Sequence, residues 1–286
     1  MTHGKSKVLG RYGRPAKKRR GLRISFRFLR KIFLLCFVLI GLGGAFYFAF
    51  LSDYFAIESI NISGLKTVAE EDVRGRVNGV LDRRKWVVGR LSNYFLFSAD
   101  LAEAEIEGAF PKIGALKIEK NYPKALSIFI TERNAVGVWC REEKCFYLDK
   151  SGVIFEPAPR SFGGLMITVE DFRAIEGVSL SAAVLKEGEA MFFEEAKRLV
   201  TQNFPFGTKS FVITQRNEIE ILTSENWRVL LDKKESIEYQ LSNLKYLLDE
   251  KIRERRRELE YVDLRLGNRV YYRFAGAGES DRVDKN

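Results

Sequence analysis

The sequence IFLLCFVLIGLGGAFYFAFL, residues 32–51, decides how the rest of the chain is interpreted. These twenty residues contain no charged residue and no proline. A helix of this length rises about 30 Å, the thickness of the hydrocarbon core of a bilayer. A continuous helix also satisfies its own backbone hydrogen bonds in lipid. The stretch therefore predicts a transmembrane helix between a short tail, residues 1–31, and a large remainder.

A cleaved signal peptide is the alternative, since it also joins a basic region to an apolar one. Its apolar region is usually shorter, and small residues mark the cleavage site. Here the chain leaves the apolar stretch as AFLSDYF, with bulky residues where small ones are needed. We therefore expect a retained membrane anchor.

The positive charge of the chain is concentrated before this helix. The net charge of +10 would by itself point to a nucleic-acid partner. Residues 1–31 hold twelve Lys or Arg and no acid, which leaves 36 basic against 38 acidic residues in the remainder. Basic residues beside a first span hold that side in the cytoplasm, and Lys17–Arg20 suits anionic lipid headgroups better than nucleic acid. We expect residues 1–31 inside the cell and residues 52–286 outside the membrane.

Residues 52–133 have the pattern of a small α+β domain. Ile60 and Ile62 alternate with polar residues, which predicts a strand close to the membrane surface. TVAEEDVRGRV and ADLAEAEIEGAF have helical spacing, with Thr67 and Ser98 placed to cap them. ALKIEKNY and ALSIFITER alternate as two further strands. This β-α-α-β-β order predicts a three-stranded sheet covered on one face by two helices.

Residues 134–274 are richer in strand patterns. GVWCREEKCFYLDKSGVIFE predicts hairpins, MFFEEAKRLVTQNF an amphipathic helix, and KSFVITQRNEIEILTSENWRVLLD three short strands. Apolar spacing predicts one long helix from Lys234 to about Leu259. Residues 275–286, rich in Gly and charge, predict a disordered tail. The fold class is therefore α+β: a transmembrane helix, the small domain, and a mixed, mainly antiparallel β domain with flanking helices.

Two of the three cysteines lie outside the membrane, in WCREEKCFYL. In a hairpin that closes over the four intervening residues, Cys140 and Cys145 would lie opposite each other, close enough to form a disulfide. The expected compartment permits such a bond. Two ordinary strand cysteines remain the alternative. Cys36 lies in the span, where we expect it to be a small apolar residue.

YVDLRLGNRVYYRF, residues 261–274, predicts a terminal hairpin. A three-residue loop, Leu266 to Asn268, would pair Leu264 with Val270 and place the apolar residues on one face. It would also pair Val262 with Tyr272, whereas a two-residue loop would mix apolar and charged residues. The opposite face would then carry Tyr261, Asp263, Arg265, Arg269, Tyr271 and Arg273.

This predicted hairpin has two features of a docking site. Arg265 and Arg269 would face each other, which is mildly destabilising. The last strand would also be a sheet edge with unpaired backbone groups, and such an edge invites an added strand. The residues leave two interpretations open: a site for an extended segment that carries acid, or a solvated edge protected against aggregation by its arginines.

Several stretches in order resemble the FtsQ family of bacterial cell division proteins, called DivIB in Gram-positive bacteria. After a single span, ISGLKTVAEEDV, NYFLFSADL and KIEKNYPKALSIFITER resemble the POTRA domain of that family. VGVWCREEKCFYLDKSGVIF and YVDLRLGNRVYYRF continue the resemblance, which covers roughly residues 1–274. The chain departs from the family at Asn134 and Ala135, where a proline usually follows the Glu-Arg pair, and in a longer connection at residues 80–93.

The resemblance implies a non-catalytic scaffold of the division septum, anchored in the bacterial inner membrane with most of the chain in the periplasm. In FtsQ-like proteins, the terminal strand region receives a segment of FtsB, which arrives with FtsL as a coiled coil. The POTRA domain and the span help to recruit the protein to the septum. On this chain the implied contacts are Arg265, Leu266, Val270, Tyr271, Tyr272 and Arg273. We expect the partner segment to carry Glu or Asp facing Arg265 or Arg273.

The sequence gives little support for catalysis. The only histidine, His3, lies in the basic tail, so an external nucleophile has no histidine as its base. No spacing resembles a zinc, EF-hand or phosphate-loop signature, and we expect no metal and no cofactor. Neighbouring acids such as Glu142 and Glu143 would point to opposite faces of a strand.

Three other functions are compatible with parts of the sequence. A membrane-anchored cell-wall hydrolase would need to work with carboxylates alone. A POTRA-bearing component of outer-membrane insertion or polypeptide secretion would usually carry several POTRA units or a β-barrel. A membrane-anchored sensor would usually have a cytoplasmic output domain, for which residues 1–31 are too few.

Overall fold

The chain forms a long N-terminal helix followed by two β-containing units. The computed structural model describes residues 26–85, 89–160, 166–175, 177–267, 269–276 and 281–284. Helix α1 (Phe26–Phe50) is long and apolar enough to cross a membrane. It begins six residues before the predicted span, because Arg27, Arg30 and Lys31 are good helix formers whose long side chains can reach out of the lipid. The predictions for residues 1–25 lie outside the described residues.

The first unit follows α1 almost without interruption. Its elements are β1 (Ser59–Ser63), α2 (Glu70–Leu81), β2 (Arg84–Lys85), β3 (Gly89–Arg90), α3 (Ala99–Ala109), β4 (Ile113–Asn121) and β5 (Ala125–Glu132). The sheet order is β1-β5-β4, with β5 parallel to β1 and antiparallel to β4. Residues such as Val77 and Ile106 bury the inner faces of α2 and α3 against Ile128. The predicted β-α-α-β-β domain is therefore confirmed.

Two details of this unit follow from the contact of β5 with the connection between β1 and α2. Gly64 ends β1 with a φ of +90°, and a Cβ there would lie 1.9 Å from the carbonyl oxygen of Ile130, so no other residue fits. Thr67 does not cap α2 as predicted; the N-cap position is Ala69, which makes no side-chain cap bond. The Thr67 hydroxyl instead donates a hydrogen bond to the carboxylate of Glu132.

The second unit contains one large mixed sheet. Its strands are β6 (Gly137–Arg141), β7 (Lys144–Leu148), β8 (Ile154–Pro157), β9 (Ile167–Asp171), β10 (Thr208–Ile213), β11 (Ile219–Thr223), β12 (Arg228–Leu231), β13 (Leu259–Leu266), β14 (Arg269–Phe274) and β15 (Asp281–Asp284). The sheet order is β15-β14-β13-β12-β11-β10-β9-β6-β7-β8. The pairs β6-β9, β9-β10 and β12-β13 are parallel and the others are antiparallel, as the predicted fold class requires.

Helices α4 (Glu189–Asn203) and α5 (Ile237–Leu247) cover one face of this sheet. The core between them is centred on large, fully buried side chains, of which Phe193, Phe211 and Trp227 are examples. Val262, Leu264 and Val270 of the terminal hairpin belong to the same core. The hairpin is therefore fixed on its inner face, and its other face is open to other molecules.

The long helix predicted from Lys234 to Leu259 is shorter in the structure. After α5 the chain continues as a π-helix (Leu248–Ile252) and a 3-10 helix (Arg253–Glu258). RERRRE has no apolar residue to face the core, so nothing holds this stretch in an α-helix. The guanidinium of Arg256 instead donates 2.8 Å hydrogen bonds to both carboxylate oxygens of Glu225.

The prediction of a disordered tail is wrong for four residues. Asp281–Asp284 forms β15, which pairs antiparallel with β14. Without it, β14 would leave a row of backbone donors and acceptors unpaired at the sheet edge. Residues 277–280 and 285–286 lie outside the described residues.

Candidate functional site

The terminal hairpin, β13 and β14, was predicted to bind the partner, and its register is partly as expected. Val262 lies opposite Tyr272, as predicted. Leu266 lies opposite Arg269, however, so only two residues separate the strands. A bulge between Asp263 and Leu266 takes up one additional residue of β13.

The bulge corrects two predictions. The three-residue loop, Leu266 to Asn268, is wrong because Leu266 still belongs to β13; Asn268 itself lies outside the described residues. The direct opposition of Arg265 and Arg269 is also wrong, because Leu266 occupies that place. A two-residue connection and an apolar inner face are compatible once one strand contains a bulge.

The six predicted contact residues are divided between the two faces. Val270 is buried and Tyr272 packs against the core, so their side chains lie on the inner face. Arg265, Tyr271 and Arg273 lie on the outer face and are partly exposed, while Leu266 at the tip is 54% exposed. Only these last four side chains are placed to contact a partner.

Arg265 already has two carboxylate partners within the chain. Its Nε and Nη2 atoms donate to Asp263 at 2.9 and 2.7 Å, and Nη1 donates to Glu218 at the start of the β11 region. The hydrogen bond with Asp263 raises the pKa of Arg265 above its ordinary value. Asp263 and Arg265 are two positions apart on one strand and so share a face, as predicted; sequence reasoning missed that this spacing lets the two side chains pair.

Arg273 is also paired within the chain. Its Nε donates to Glu260 at 2.8 Å, and its guanidinium lies 5.1 Å from the centroid of the Tyr261 ring. Glu260 reaches Arg273 because a second irregularity in the β13-β14 pairing lies between Leu259 and Tyr261. The hydrogen bond with Arg273 lowers the pKa of Glu260. Two arginines of the outer face, Arg265 and Arg273, are therefore already paired with carboxylates of the same chain.

The edge of the hairpin differs from the prediction as well. β14 was expected to be the last strand, with a free edge for an added segment. β15 occupies this edge, with Asp284 in register with Arg269 and Asp281 in register with Tyr272. A strand added by a partner must therefore either replace β15 or pair with the outer side of β15.

The two external cysteines lie on the opposite half of the same sheet. Cys140 and Cys145 are directly paired residues of β6 and β7, and the structure joins them in a disulfide. Their Cα atoms are 4.1 Å apart. Both side chains are buried beside Val138, on the sheet face away from the main core. The bond therefore belongs to the framework of the β6-β7 hairpin.

The Glu-Arg pair between the two units forms a buried polar joint that sequence reasoning did not assign. Glu132 accepts hydrogen bonds from the backbone N–H groups of Lys66, Thr67 and Val68 at 2.7, 2.9 and 3.0 Å. Burial alone would raise the pKa of Glu132, but these bonds and that of the Thr67 hydroxyl lower it to about 2.

Arg133 extends this joint into the second unit. Its side chain donates to the carbonyl oxygen of Pro111 in the first unit and to Asp149 in the β7-β8 turn. Lys112 adds a 3.1 Å ion pair with Glu156 of β8. The two units are therefore connected by charged side chains as well as by the chain itself.

No group of His, Cys, Asp and Glu that could hold a metal ion occurs in the part of the chain that the structure describes. The acids Asp263 and Glu260 of the hairpin instead form ion pairs with arginines. What this surface offers is a set of partly exposed cations, one exposed leucine and a strand edge.

An apolar N-terminal helix, a β-α-α-β-β unit and a terminal sheet with a strand edge define a membrane-anchored protein of the POTRA class. Comparison with protein families agrees: residues 55–133 match the POTRA domain of FtsQ type, and residues 137–265 match the C-terminal domain of the cell division protein FtsQ/DivIB. The chain belongs to the FtsQ/DivIB family. It is therefore a cell division protein, and its apolar helix fits a single span of the membrane. A search of curated proteins gave no match.

Proposed function

We propose that this protein is a non-catalytic scaffold of the bacterial divisome that recruits FtsB/FtsL-type partners to the septum. The observation that carries the proposal is the match to both FtsQ/DivIB domains, in a chain with one apolar helix before them. The tail is cytoplasmic and the rest of the chain periplasmic, as the twelve basic residues before the span favour. The POTRA domain comprises residues 52–133 and the β domain residues 134–274.

The docking surface of this proposal is the outer face of β13 and β14 with its edge. Arg265 and Arg273 supply positive charge, Leu266 an exposed apolar contact and Tyr271 an amphipathic ring. The backbone of β14 supplies the hydrogen bonds of an added strand in place of β15. The inner residues Val270 and Tyr272 support this surface from the core side.

The carboxylates that pair with Arg265 and Arg273 within the chain place both guanidinium groups for contact with an acidic partner. Arg273 and Glu260 are 35% and 32% exposed at their side chains, so their ion pair is screened by water and is worth little. A partner Glu or Asp can therefore replace Glu260 or Glu218 at small cost. The internal acids hold each guanidinium in place until the partner arrives.

Substitution of both arginines tests the electrostatic part of the proposal. We expect Arg265→Gln with Arg273→Gln to weaken FtsB/FtsL binding by the full-length protein about tenfold or more at moderate salt, since two charged contacts are lost. Gln is preferable to Glu, which would lie beside Asp263 and Glu260 and disturb the fold. Arg198→Gln is the matched control, because it removes an exposed ion pair with Glu195 on α4.

The outcomes separate the two parts of the proposal. Unchanged binding of the double variant would overturn the role of the arginines. The scaffold function itself would be overturned by two results together. The native protein would fail to co-purify with FtsB and FtsL homologues, and a fluorescent tagged copy would be dispersed and not at midcell.

A further inference from the structure

The POTRA domain follows the membrane helix with no flexible linker. Leu51 and Ser52 still donate their N–H groups to the carbonyl oxygen of Tyr47, at 2.9 and 3.1 Å. A 3-10 turn (Asp53–Phe55) follows at once. From the domain, the side-chain amide of Asn93 donates to the carbonyl oxygen of Ala49, at 2.9 Å. The base of the domain is therefore fixed to the last turn of α1.

Aromatic rings continue this connection from the helix into the domain. They form a juxtamembrane ring cluster: Phe48, Phe50, Tyr54, Phe55, Tyr94, Phe95 and Tyr122. Phe50 lies 6.0 Å from Phe95, and Phe48 lies 5.7 Å from Phe55, measured between ring centroids. The members come from four separate parts of the chain and meet where α1 leaves the lipid.

Phe48 on α1 is 51% exposed, and three further rings of the cluster, beyond α1, are also open to the surroundings. Tyr54, Phe95 and Tyr122 are 54%, 45% and 69% exposed, although Phe55 behind them is buried. They lie beside the end of a helix whose side chains face lipid, so the plane of the bilayer surface passes close to them. Tyrosine is enriched at this depth because its ring suits the acyl boundary and its hydroxyl the wet headgroups.

The charges around the cluster favour no lipid headgroup in particular. Lys120 and Lys124 lie over the Tyr94 and Tyr54 rings at 5.4 and 5.6 Å, and Lys124 pairs with Glu58. Asp53 is exposed in the same turn, so among the side chains that the structure describes beside these rings two cations are matched by two acids. These described groups give no net charge to attract a lipid headgroup, and the exposed rings are the feature that suits the bilayer surface.

We propose that Tyr54, Phe95 and Tyr122 form a membrane-binding surface on the base of the POTRA domain. The occupant is the headgroup and upper acyl region of the bilayer that α1 crosses, including zwitterionic phosphatidylcholine. The surface holds the domain upright, with β5 running away from the membrane. The start of α2, which lies beside the far end of β5, is then about 25 Å from the bilayer surface, the length of an eight-residue strand.

Spin-label accessibility in the full-length protein tests this surface. Cys36→Ser removes the free thiol of the span, and Asn121→Cys places a label beside Tyr122 while all three rings remain. In phosphatidylcholine nanodiscs without any partner, we expect oxygen to relax this label more than a water-soluble nickel chelate does. A label at Glu71→Cys, exposed at the start of α2, is expected to show the reverse.

Two results would overturn the proposal. If the label at residue 121 has the same nickel accessibility as the label at residue 71, the base stands away from the lipid. If lipid contact at residue 121 appears only with phosphatidylglycerol, charge and not the rings supplies the attraction.

A ring-deletion variant separates lipid contact from mere proximity to the span. We expect Tyr54→Ser with Tyr122→Ser to shift the residue 121 label to the aqueous values of residue 71, with an unchanged circular dichroism spectrum because both rings are exposed. Phe129→Ser is the matched control: this ring is 48% exposed on β5 but lies in register with Ser63, at the far end of β1. It should leave the label unchanged. A shift of equal size in the control would overturn the role of the two tyrosines.

Discussion

At the scale of single residues, Glu132 shows how a buried carboxylate can organise a chain turn. Three consecutive N–H groups, of Lys66, Thr67 and Val68, converge on one of its oxygens. The side chain is 4% exposed, so water cannot replace these bonds. Hydrogen bonds from N–H groups to an ionised acceptor are stronger than those to a neutral one. The charge of Glu132 therefore stabilises the connection between β1 and α2.

We predict that Glu132→Gln lowers the free energy of unfolding by about 2 kcal/mol at pH 7, because an amide accepts the same bonds without a charge. The folded pKa of Glu132, about 2, lies below its ordinary value of 4.5. The stabilisation is therefore complete above pH 4.5 and is lost as the pH falls towards 2. Denaturant unfolding of native and variant protein from pH 7 to pH 3 should show the difference narrowing. A difference that stays constant with pH would contradict this account.

The two cysteines of the β6-β7 hairpin give a second prediction at this scale. In the unfolded but unreduced full-length protein from the cell, a maleimide-polyethylene glycol reagent should add to one thiol, that of Cys36. After reduction it should add to three. A Cys36→Ser variant should add none before reduction. Two reactive external thiols in the unreduced protein would show that Cys140 and Cys145 are not bridged in the cell.

At the scale of elements, β15 decides how the β14 edge is used. Because it pairs with β14 over Arg269 to Tyr272, it holds the same backbone groups that a partner strand would need. Four residues make a short strand, and short edge strands protect a sheet from unwanted pairing. A partner strand that must displace β15 binds more weakly than it would to a free β14 edge. Only the fraction of molecules in which β15 has left β14 can bind it.

We predict that ending the chain at Gly276, which removes β15, increases the affinity of the full-length protein for an FtsB/FtsL partner several-fold. Replacement of residues 281–284 by Gly-Ser-Gly-Ser keeps the length and should have the same effect, because it removes the strand and not the tail. Titration of the detergent-solubilised proteins measures both. Weaker binding after either change would show that β15 is part of the docking surface.

The hairpin also shows which parts of an element can be predicted from its sequence. Alternation of Val262, Leu264 and Val270 with charged residues correctly assigned the inner face, because burial follows side-chain type. The loop length was wrong, since a bulge changes the pairing without changing the residue pattern. The pairing of Arg265 with Glu218 was also beyond prediction, because it joins residues 47 positions apart. β15 was missed because its pairing depends on backbone groups that β14 leaves free.

At the scale of the whole molecule, the chain is a series of directly connected bodies. The fixed end of α1 joins the membrane to the POTRA domain, and Glu132 and Arg133 join the POTRA domain to the β domain. The domain order and the two folds were predictable because helical and strand patterns are local. The contacts at the joints were not predictable, because they bring together residues from separate elements, as Arg133 with Asp149. We infer that these joints set the distance between the end of α1 and the proposed docking edge.

We predict that Arg133→Gln loosens the joint between the two domains without unfolding either. The Arg133 and Asp149 side chains are only 18% and 7% exposed, so losing the cation costs about 3 kcal/mol of interdomain contact. Electron-electron distance measurement between spin labels at Glu71→Cys and Met191→Cys, both exposed, should give a broader distribution in this variant, in a Cys36→Ser background. Adding Lys112→Gln, which removes the ion pair with Glu156, should broaden it further.

Arg74→Gln is the control for this experiment, because its ion pair with Glu70 lies within α2 and is exposed at both ends. It should leave the distance distribution unchanged. A narrow distribution in Arg133→Gln would mean that chain connectivity and apolar contacts alone align the domains. A broad distribution would assign the alignment to the ion pair of Arg133 with Asp149. The distance of the proposed docking edge from the membrane would then depend on that pair.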